Sequence, residues 1–157
     1  LSAACKLQEP LNKVCPYCFE VEASAELASS DSGEKLTLKD LVLACKRDVD
    51  GSFVLIEGAG GLYSPIAEAT LNVDLAVELQ LPVLIVIRDE LGAISQALLT
   101  LEAAKKNKLT VACVVLNVVN SNNLSNKEAL AAYTETPIIS FSQGDLGAFC
   151  SEIEKLI

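Results

Sequence analysis

The longest apolar stretch of the chain, Leu81-Pro-Val-Leu-Ile-Val-Ile87, runs with no alternation between apolar and polar residues. A strand covered by helices on both faces has this pattern, whereas a half-solvated antiparallel strand alternates. Leu109–Asn117 repeats it and ends in a polar side chain, Ser52–Glu57 runs into a glycine cluster, and Thr136–Phe141 is a shorter version. The segments between these strands carry helical spacing. Thr37-Leu-Lys-Asp40 is a capping box ahead of Leu38, Leu41, Val42 and Cys45, which predicts a helix to about Asp48. Further helices are expected at Asn72–Leu79, from Leu91-Gly92 to Lys106, and after a second capping box at Ser125-Asn-Lys-Glu128. A last helix would show one apolar face made of Leu146, Phe149, Cys150, Ile153 and Leu156.

Four strands separated by helices predict an α/β fold: an open, mostly parallel sheet with helices on both faces. At 157 residues and 51% hydrophobic content the chain fits a single domain, residues 1–157, with a proper core. Ligands of such sheets bind beyond the carboxyl ends of the strands. The polar tips Glu57, Arg88-Asp89 and Asn117 are expected to share that rim.

The most informative tip is Glu57-Gly58-Ala59-Gly60-Gly61. Backbone without side chains lets N–H groups approach a ligand closely, and a carboxylate at a strand end can hold a divalent cation. A strand followed by a flexible turn, with Glu57 merely solvated, would leave the same residues. Asn117 likewise reads two ways, as a donor and acceptor for the edge of a ligand ring or as a cap for the turn that follows it.

Charge removes some partners. A net charge of −9, with no clustered Lys/Arg face, argues against nucleic acid and against anionic membrane surfaces. No apolar run reaches the length of a membrane span. Of the six cysteines, Cys45, Cys113 and Cys150 fall on what read as buried faces, as small core residues of a reducing compartment. Cys15-Pro-Tyr-Cys18 is similar to a glutaredoxin active site, but no strand precedes it, and with no second CxxC and no His the chain offers no zinc set.

The order of motifs resembles the dethiobiotin synthetase family. The landmarks are Pro16-Tyr17-Cys-Phe19 with Ser24 and Ala28, Glu57-Gly-Ala-Gly-Gly61 with Pro65, Leu81-Pro-Val-Leu-Ile-Val with Leu91-Gly92-Ala-Ile94 and Leu99-Thr100, and Val114-Val-Leu-Asn117. The resemblance implies a P-loop-type α/β fold and an ATP- and magnesium-dependent ligase of biotin biosynthesis. Such an enzyme closes a cyclic urea on 7,8-diaminopelargonic acid with carbon dioxide, and it works in the cytoplasm as a homodimer. By the same resemblance Glu57 is a magnesium ligand, and Glu57, Gly58, Ala59, Gly60, Gly61 and Asn117 serve the nucleotide and phosphate. Gly92, Ala93, Ile94 and Ser95 serve the substrate, the backbone amides of the first three taking its carboxylate from the partner subunit.

The chain departs from the family at Ser95-Gln96, where Asn-His is usual, in Glu22-Ala-Ser24-Ala-Glu26, which lacks two prolines and a His, and at Ser140-Phe-Ser-Gln143. No G-x-x-x-x-G-K-[ST] occurs. The phosphate loop and first strand are therefore expected upstream of Leu1, and the chain would be the C-terminal two-thirds of the fold. A different ligase of the same group, or a catalytically inactive, regulatory relative, is the alternative.

Overall fold

The computed structural model describes residues 10–21, 23–33, 35–46 and 54–156, which divide into two compact units, residues 1–78 and 79–157. In the first unit, short helices α1 (Leu11–Val14), α2 (Ala25–Asp31) and α3 (Leu38–Cys45) precede a small antiparallel hairpin, β1 (Pro65–Ala67) and β2 (Thr70–Leu71), and then helix α4 (Asn72–Leu79). Ser24 caps α2 by accepting from the Leu27 N–H at 3.4 Å. Helix α2 packs on β1 around Ala28, Ile66 and Ala67, all buried. Glu26, where the family pattern differs, accepts from the Ala69 N–H at 3.1 Å and so ties α2 to the hairpin turn, in which Ala69 has a left-handed φ of 49°.

The capping box at Thr37 forms as its sequence predicts. The Asp40 N–H donates to Thr37 Oγ1 at 3.4 Å, and the Thr37 N–H donates to Asp40 Oδ2 at 3.0 Å. Helix α3 runs from Leu38 to Cys45, and the predicted extension to Asp48 enters positions outside the described residues.

The second unit carries β3 (Val83–Arg88), α5 (Ala93–Lys106), β4 (Val111–Val118), α6 (Asn126–Ala131), β5 (Ile138–Ser142) and α7 (Leu146–Ile153). Its three strands form a parallel sheet in the order β3-β4-β5, with Arg88 opposite Asn117 and Asn117 opposite Phe141. Central β4 is buried from Cys113 to Leu116. One sheet face buries Ile85, Ile87, Val114 and Leu116 against Ala93 and Ala97 of α5 and Leu130 of α6. The other buries Cys113, Val115 and Ile139 beneath Phe149 and Ile153 of α7. The expected α/β architecture with helices on both faces is what the second unit shows.

Four expectations need correction. No strand forms over 54–57, and residues 52 and 53 lie outside the described set. A lone extended segment has no ladder partner for its N–H and C=O groups, and here Leu55 stays 68% exposed. Among the described residues the parallel sheet has three strands. Ser125 does not cap α6: it adopts a left-handed φ of 48° and makes no side-chain cap bond. On α7 only Phe149 and Ile153 reach the core, while Leu146 and Cys150 are exposed, because the sheet beneath offers just the Ile139–Phe141 ridge for a helix to cover. Cys113 alone of the three cysteines is fully buried, and desolvation pushes its thiol above the ordinary value. Cys15 ends α1 instead of opening a helix, the reverse of the redox arrangement.

Leu130 is fully buried between α5 and the sheet, so Leu130→Ala should remove about 2–5 kcal/mol of stability, read as a lowered urea midpoint at unchanged slope. A loss below a few tenths of a kcal/mol would show that α6 does not close this core.

The Thr37 hydroxyl, then the Thr37 amide, hold the Asp40 carboxyl below its ordinary value, with Lys39 assisting. A lowered native value means that the cap contributes fully above the unfolded pKa of Asp40 and is lost as pH falls through the lowered native one. Carboxyl NMR titration should therefore find Asp40 below the other exposed carboxylates, and Thr37→Ala should return it towards them; no movement in that variant would contradict the cap's role.

Candidate functional site

Two loops at strand or helix ends carry the predicted site residues, one in each unit. In the first unit, Glu57 is exposed and makes no hydrogen bond or ion pair among the described residues. The glycine run after it is held by a residue that the sequence did not single out. Asn72, the first residue of α4, donates through Nδ2 to the carbonyls of Ala59 at 2.7 Å, Gly61 at 2.9 Å and Ser64 at 3.4 Å. Its own N–H returns to the Ser64 carbonyl at 3.0 Å. A single amide thus gathers three carbonyls that span the loop.

In a trans peptide the N–H points opposite to the C=O. Turning the Ala59 and Gly61 carbonyls towards Asn72 therefore turns the N–H groups of Gly60 and Leu62 away from it, and neither donates to another described residue. Two such unengaged amides, separated by one residue, offer donors to anionic oxygens. The Gly61 N–H is engaged, donating to Ser64 Oγ at 2.8 Å.

The glycines are required where the loop is tightest. At Gly60, with φ of 77°, an added Cβ would lie 2.5 Å from Ser64 Oγ, and at Gly58 it would lie 2.6 Å from Asn72 Oδ1. The flexible-turn reading of this segment does not match a loop bonded so closely.

In the second unit the parallel register brings the strand tips together. Arg88 and Asn117 are neighbours in the ladder, which the Asp89 N–H extends by donating to the Asn117 carbonyl at 2.9 Å. The Asn117 side chain is half-buried and makes no hydrogen bond among the described residues, so it caps no turn there. Arg88 pairs through Nε with Glu90 Oε2 at 3.2 Å, an exposed contact of small energetic weight. Glu57 belongs to the first unit and has its own surroundings there.

The Leu91-Gly92 segment is a tight turn in which the Ala93 N–H donates to the Glu90 carbonyl at 3.1 Å. Gly92, with φ 99° and ψ −8°, has the dihedrals of the third position of a type II turn, which only glycine adopts without strain. Helix α5 starts there. The Ala93 amide is used inside the turn, whereas those of Ile94 and Ser95 find no acceptor among the described residues and face the start of a 14-residue helix. Ser95 is exposed. These donors at the positive end of a helix suit a carboxylate or phosphate.

Among the described residues no group of three or more His, Cys, Asp or Glu converges, so a metal cage built only from side chains is absent. Magnesium does not need one: it is commonly held by one or two carboxylates, with waters and substrate phosphates completing its shell. An unengaged Glu57 beside outward-facing amides fits that donor set. An open groove of about 570 Å³, lined by Leu101, Lys105, Lys108, Val111 and Tyr133, lies at the amino-terminal start of β4, the opposite end of the sheet from Asn117. Ligands of parallel α/β sheets gather at the carboxyl end, so this groove is not the candidate site.

A parallel α/β sheet with an amide-bearing turn at its rim defines a class, and comparison agrees: residues 1–141 match the family model described as an AAA domain, of the P-loop nucleotide-hydrolysing type. The chain is 48% identical over all 157 residues to the ATP-dependent dethiobiotin synthetase BioD of Vesicomyosocius okutanii subsp. Calyptogena okutanii, covering 71% of that protein. It is 46% identical over the same length to the protein of that name from Ruthia magnifica subsp. Calyptogena magnifica, covering 72% of it. Against the protein of that name from Bacillus thuringiensis subsp. konkukian it is 34% identical over 146 residues, 90% of this chain and 60% of that one. The chain belongs to the ATP-dependent dethiobiotin synthetase family.

Asn72 and Asn126, treated below, are the residues that sequence reasoning missed. Their only signal was an asparagine at a helix start, which commonly means no more than a cap. Asn72→Ala removes three donor contacts and should speed amide exchange across residues 58–64 while costing about 1–3 kcal/mol. Unaltered protection of that peptide by mass spectrometry would mean that the loop is held by something other than this side chain.

Proposed function

We propose that this chain contributes to ATP-dependent closure of the cyclic urea of dethiobiotin from 7,8-diaminopelargonic acid and carbon dioxide. The observation that carries this is identity of 48% and 46%, over every residue of the chain, to two proteins bearing that activity in their names. One amine captures carbon dioxide as a carbamate with loss of a proton, and the carbamate oxygen takes the γ-phosphoryl group of ATP to give a carbamic-phosphoric anhydride as ADP leaves with the bridging oxygen. The second amine attacks the carbonyl carbon, inorganic phosphate leaves with the bonding pair, and the ring closes with loss of the amine proton. Every group that breaks or forms a bond belongs to a substrate, so the protein's task is positioning and charge stabilisation.

The parts of the site divide that task. The outward amides of Gly60 and Leu62 approach the phosphoryl oxygens, and their fixed orientation under Asn72 means that no reorganisation is needed as negative charge grows there. Glu57 would hold magnesium, which supplies counter-charge to the phosphates. Asn117 offers an unengaged acceptor and two donors to the edge of the adenine ring. The α5 start receives the substrate's carboxylate through the unengaged amides of Ile94 and Ser95 and the helix dipole, the Ala93 amide closing the turn beside them, and the Ser95 side chain is within the same turn to hydrogen-bond an amine.

The reading extends to the assembly. We take residues 1–157 as part of one α/β domain that acts in the cytoplasm as a homodimer, the α5 start of one protomer serving the substrate held mainly by the other. No helix among the described residues is long and apolar enough to cross a membrane.

The protein expressed from its whole reading frame should release phosphate from ATP only when 7,8-diaminopelargonic acid, bicarbonate and magnesium are all present, with dethiobiotin as the product by mass spectrometry. Glu57→Gln should lower turnover about 100-fold or more at limiting magnesium while leaving the melting temperature unchanged. Phosphate release that ignores the diamine would sink the substrate assignment, and a Glu57→Gln enzyme with normal magnesium dependence would remove Glu57 as a ligand.

A further inference from the structure

The turn that opens α5 is gripped from outside by one buried side chain. Asn126, the first residue of α6 and only 7% exposed, donates through Nδ2 to Asp89 Oδ1 at 2.6 Å and to the Glu90 carbonyl at 3.3 Å. That Glu90 carbonyl is the same oxygen that accepts the Ala93 N–H and closes the Leu91-Gly92 turn. Asn122 adds a second hold on the strand tip, donating through Nδ2 to the Asp89 carbonyl at 2.8 Å. Its own Oδ1 accepts the Leu124 N–H at 3.0 Å, which anchors the loop between β4 and α6.

The backbone supports the same arrangement. Ser125, immediately before Asn126, has a left-handed φ of 48° although it is not a glycine. Residues kept in such conformations persist where their surroundings fix them, and this one aims the next side chain at the β3 tip. The Asp89 carboxylate is an acceptor only, so a side-chain amide is its complement and a second carboxylate would repel it.

We propose that Asn126, acting on Asp89 and the Glu90 carbonyl, is a positioning residue that orients the amides at the start of α5 towards the carboxylate of the substrate. This rests on the reading that those amides receive that carboxylate. Asn126 touches no substrate in this account; it holds the Glu90 carbonyl, and with it the turn that the Ala93 N–H closes, after which the Ile94 and Ser95 amides follow. Because the carboxylate lies at the far end of the diamine from the reacting amines, its binding contributes alike to ground state and transition state, and loss of it raises KM rather than lowering kcat.

Three variants of the whole protein test this: Asn126→Asp, Asp89→Asn, and the two together, which exchange donor and acceptor. Asn126→Asp should raise KM for 7,8-diaminopelargonic acid about tenfold or more with kcat within about threefold. Amide exchange over residues 90–95 should quicken in it, and the double exchange, which rebuilds the donor–acceptor pair with residue 89 but leaves the Glu90 carbonyl without a donor, should recover stability and leave KM raised. Turnover of 7,8-diaminononane, which lacks the carboxylate, should be the same in Asn126→Asp as in the wild type; an equal loss on both diamines would make Asn126 merely structural and overturn the proposal.

A variant that melts early is settled by the double exchange: recovery of KM along with stability would show that the Glu90 contact positions nothing and would overturn the proposal. Wild-type turnover tests the reaction alone. Affinity for nonanoate, a carboxylate of the same chain length without amines, tests the clamp independently by calorimetry. Asn126→Asp should weaken it by a similar factor, and unchanged affinity defeats the inference even if the enzyme is active.

Discussion

Everything in the second unit follows from burying β4 on both faces. A strand whose side chains from Cys113 to Leu116 are all buried can satisfy its backbone only through neighbouring strands, so β3 and β5 must flank it. Both pair with it in parallel, which sends every chain reversal through a helix and gathers the strand tips at one rim. The apolar cores on the two faces stabilise the sheet, and Arg88, Asp89 and Asn117 stand where those cores end. Polar groups at that rim cost little to desolvate, and they stand on a scaffold that cannot shift register without exposing a whole face.

The two loops of interest solve a common problem by the same device. A glycine-rich segment is valuable because its amides are accessible, yet glycine loses the most conformational freedom on ordering. In each unit an asparagine at the start of a helix supplies the missing restraint. Asn72 collects carbonyls of Ala59, Gly61 and Ser64, and Asn126 holds the Glu90 carbonyl together with the Asp89 carboxylate. The Gly60, Leu62, Ile94 and Ser95 amides find no acceptor among the described residues, whereas those of Gly61 and Ala93 are engaged within their turns. An asparagine suits this role because one amide nitrogen carries two donors and no charge, so it binds carbonyls without adding a charge to the loop.

What could be read from sequence was what periodicity reports. The extents of α4, β3 and α5, and the capping box at Thr37, were legible because uninterrupted apolar runs and helical spacing are local signals. The glycines and the Leu91-Gly92 turn were legible for the same reason, since a left-handed φ leaves its mark on the residue that adopts it. The Asn126 contact with Asp89 spans 37 positions, and no local pattern encodes it. Ser125-Asn-Lys-Glu128 misled for a related reason: it has the letters of a capping box, but the tertiary contact of Asn126 sets the backbone there and overrides the local preference. The segment 54–57 failed in another way, because apolar residues predict burial, and only a partner strand makes them a strand.

The chain's departures from its family's pattern are best judged against this framework. Glu26 replaces a residue type usual in the family, yet here it accepts the Ala69 N–H and joins α2 to the hairpin, so the change has a structural use within the first unit. Ser95 differs in kind. It is exposed at the first turn of α5, with its own amide unengaged, and nothing in the fold requires a serine there. A side chain free of structural duty, beside donors that a turn and a buried asparagine hold in place, can vary with the ligand while the amide geometry stays fixed. Replacing Ser95 would then leave the turn intact, whereas a side chain added at Gly92 would strain it.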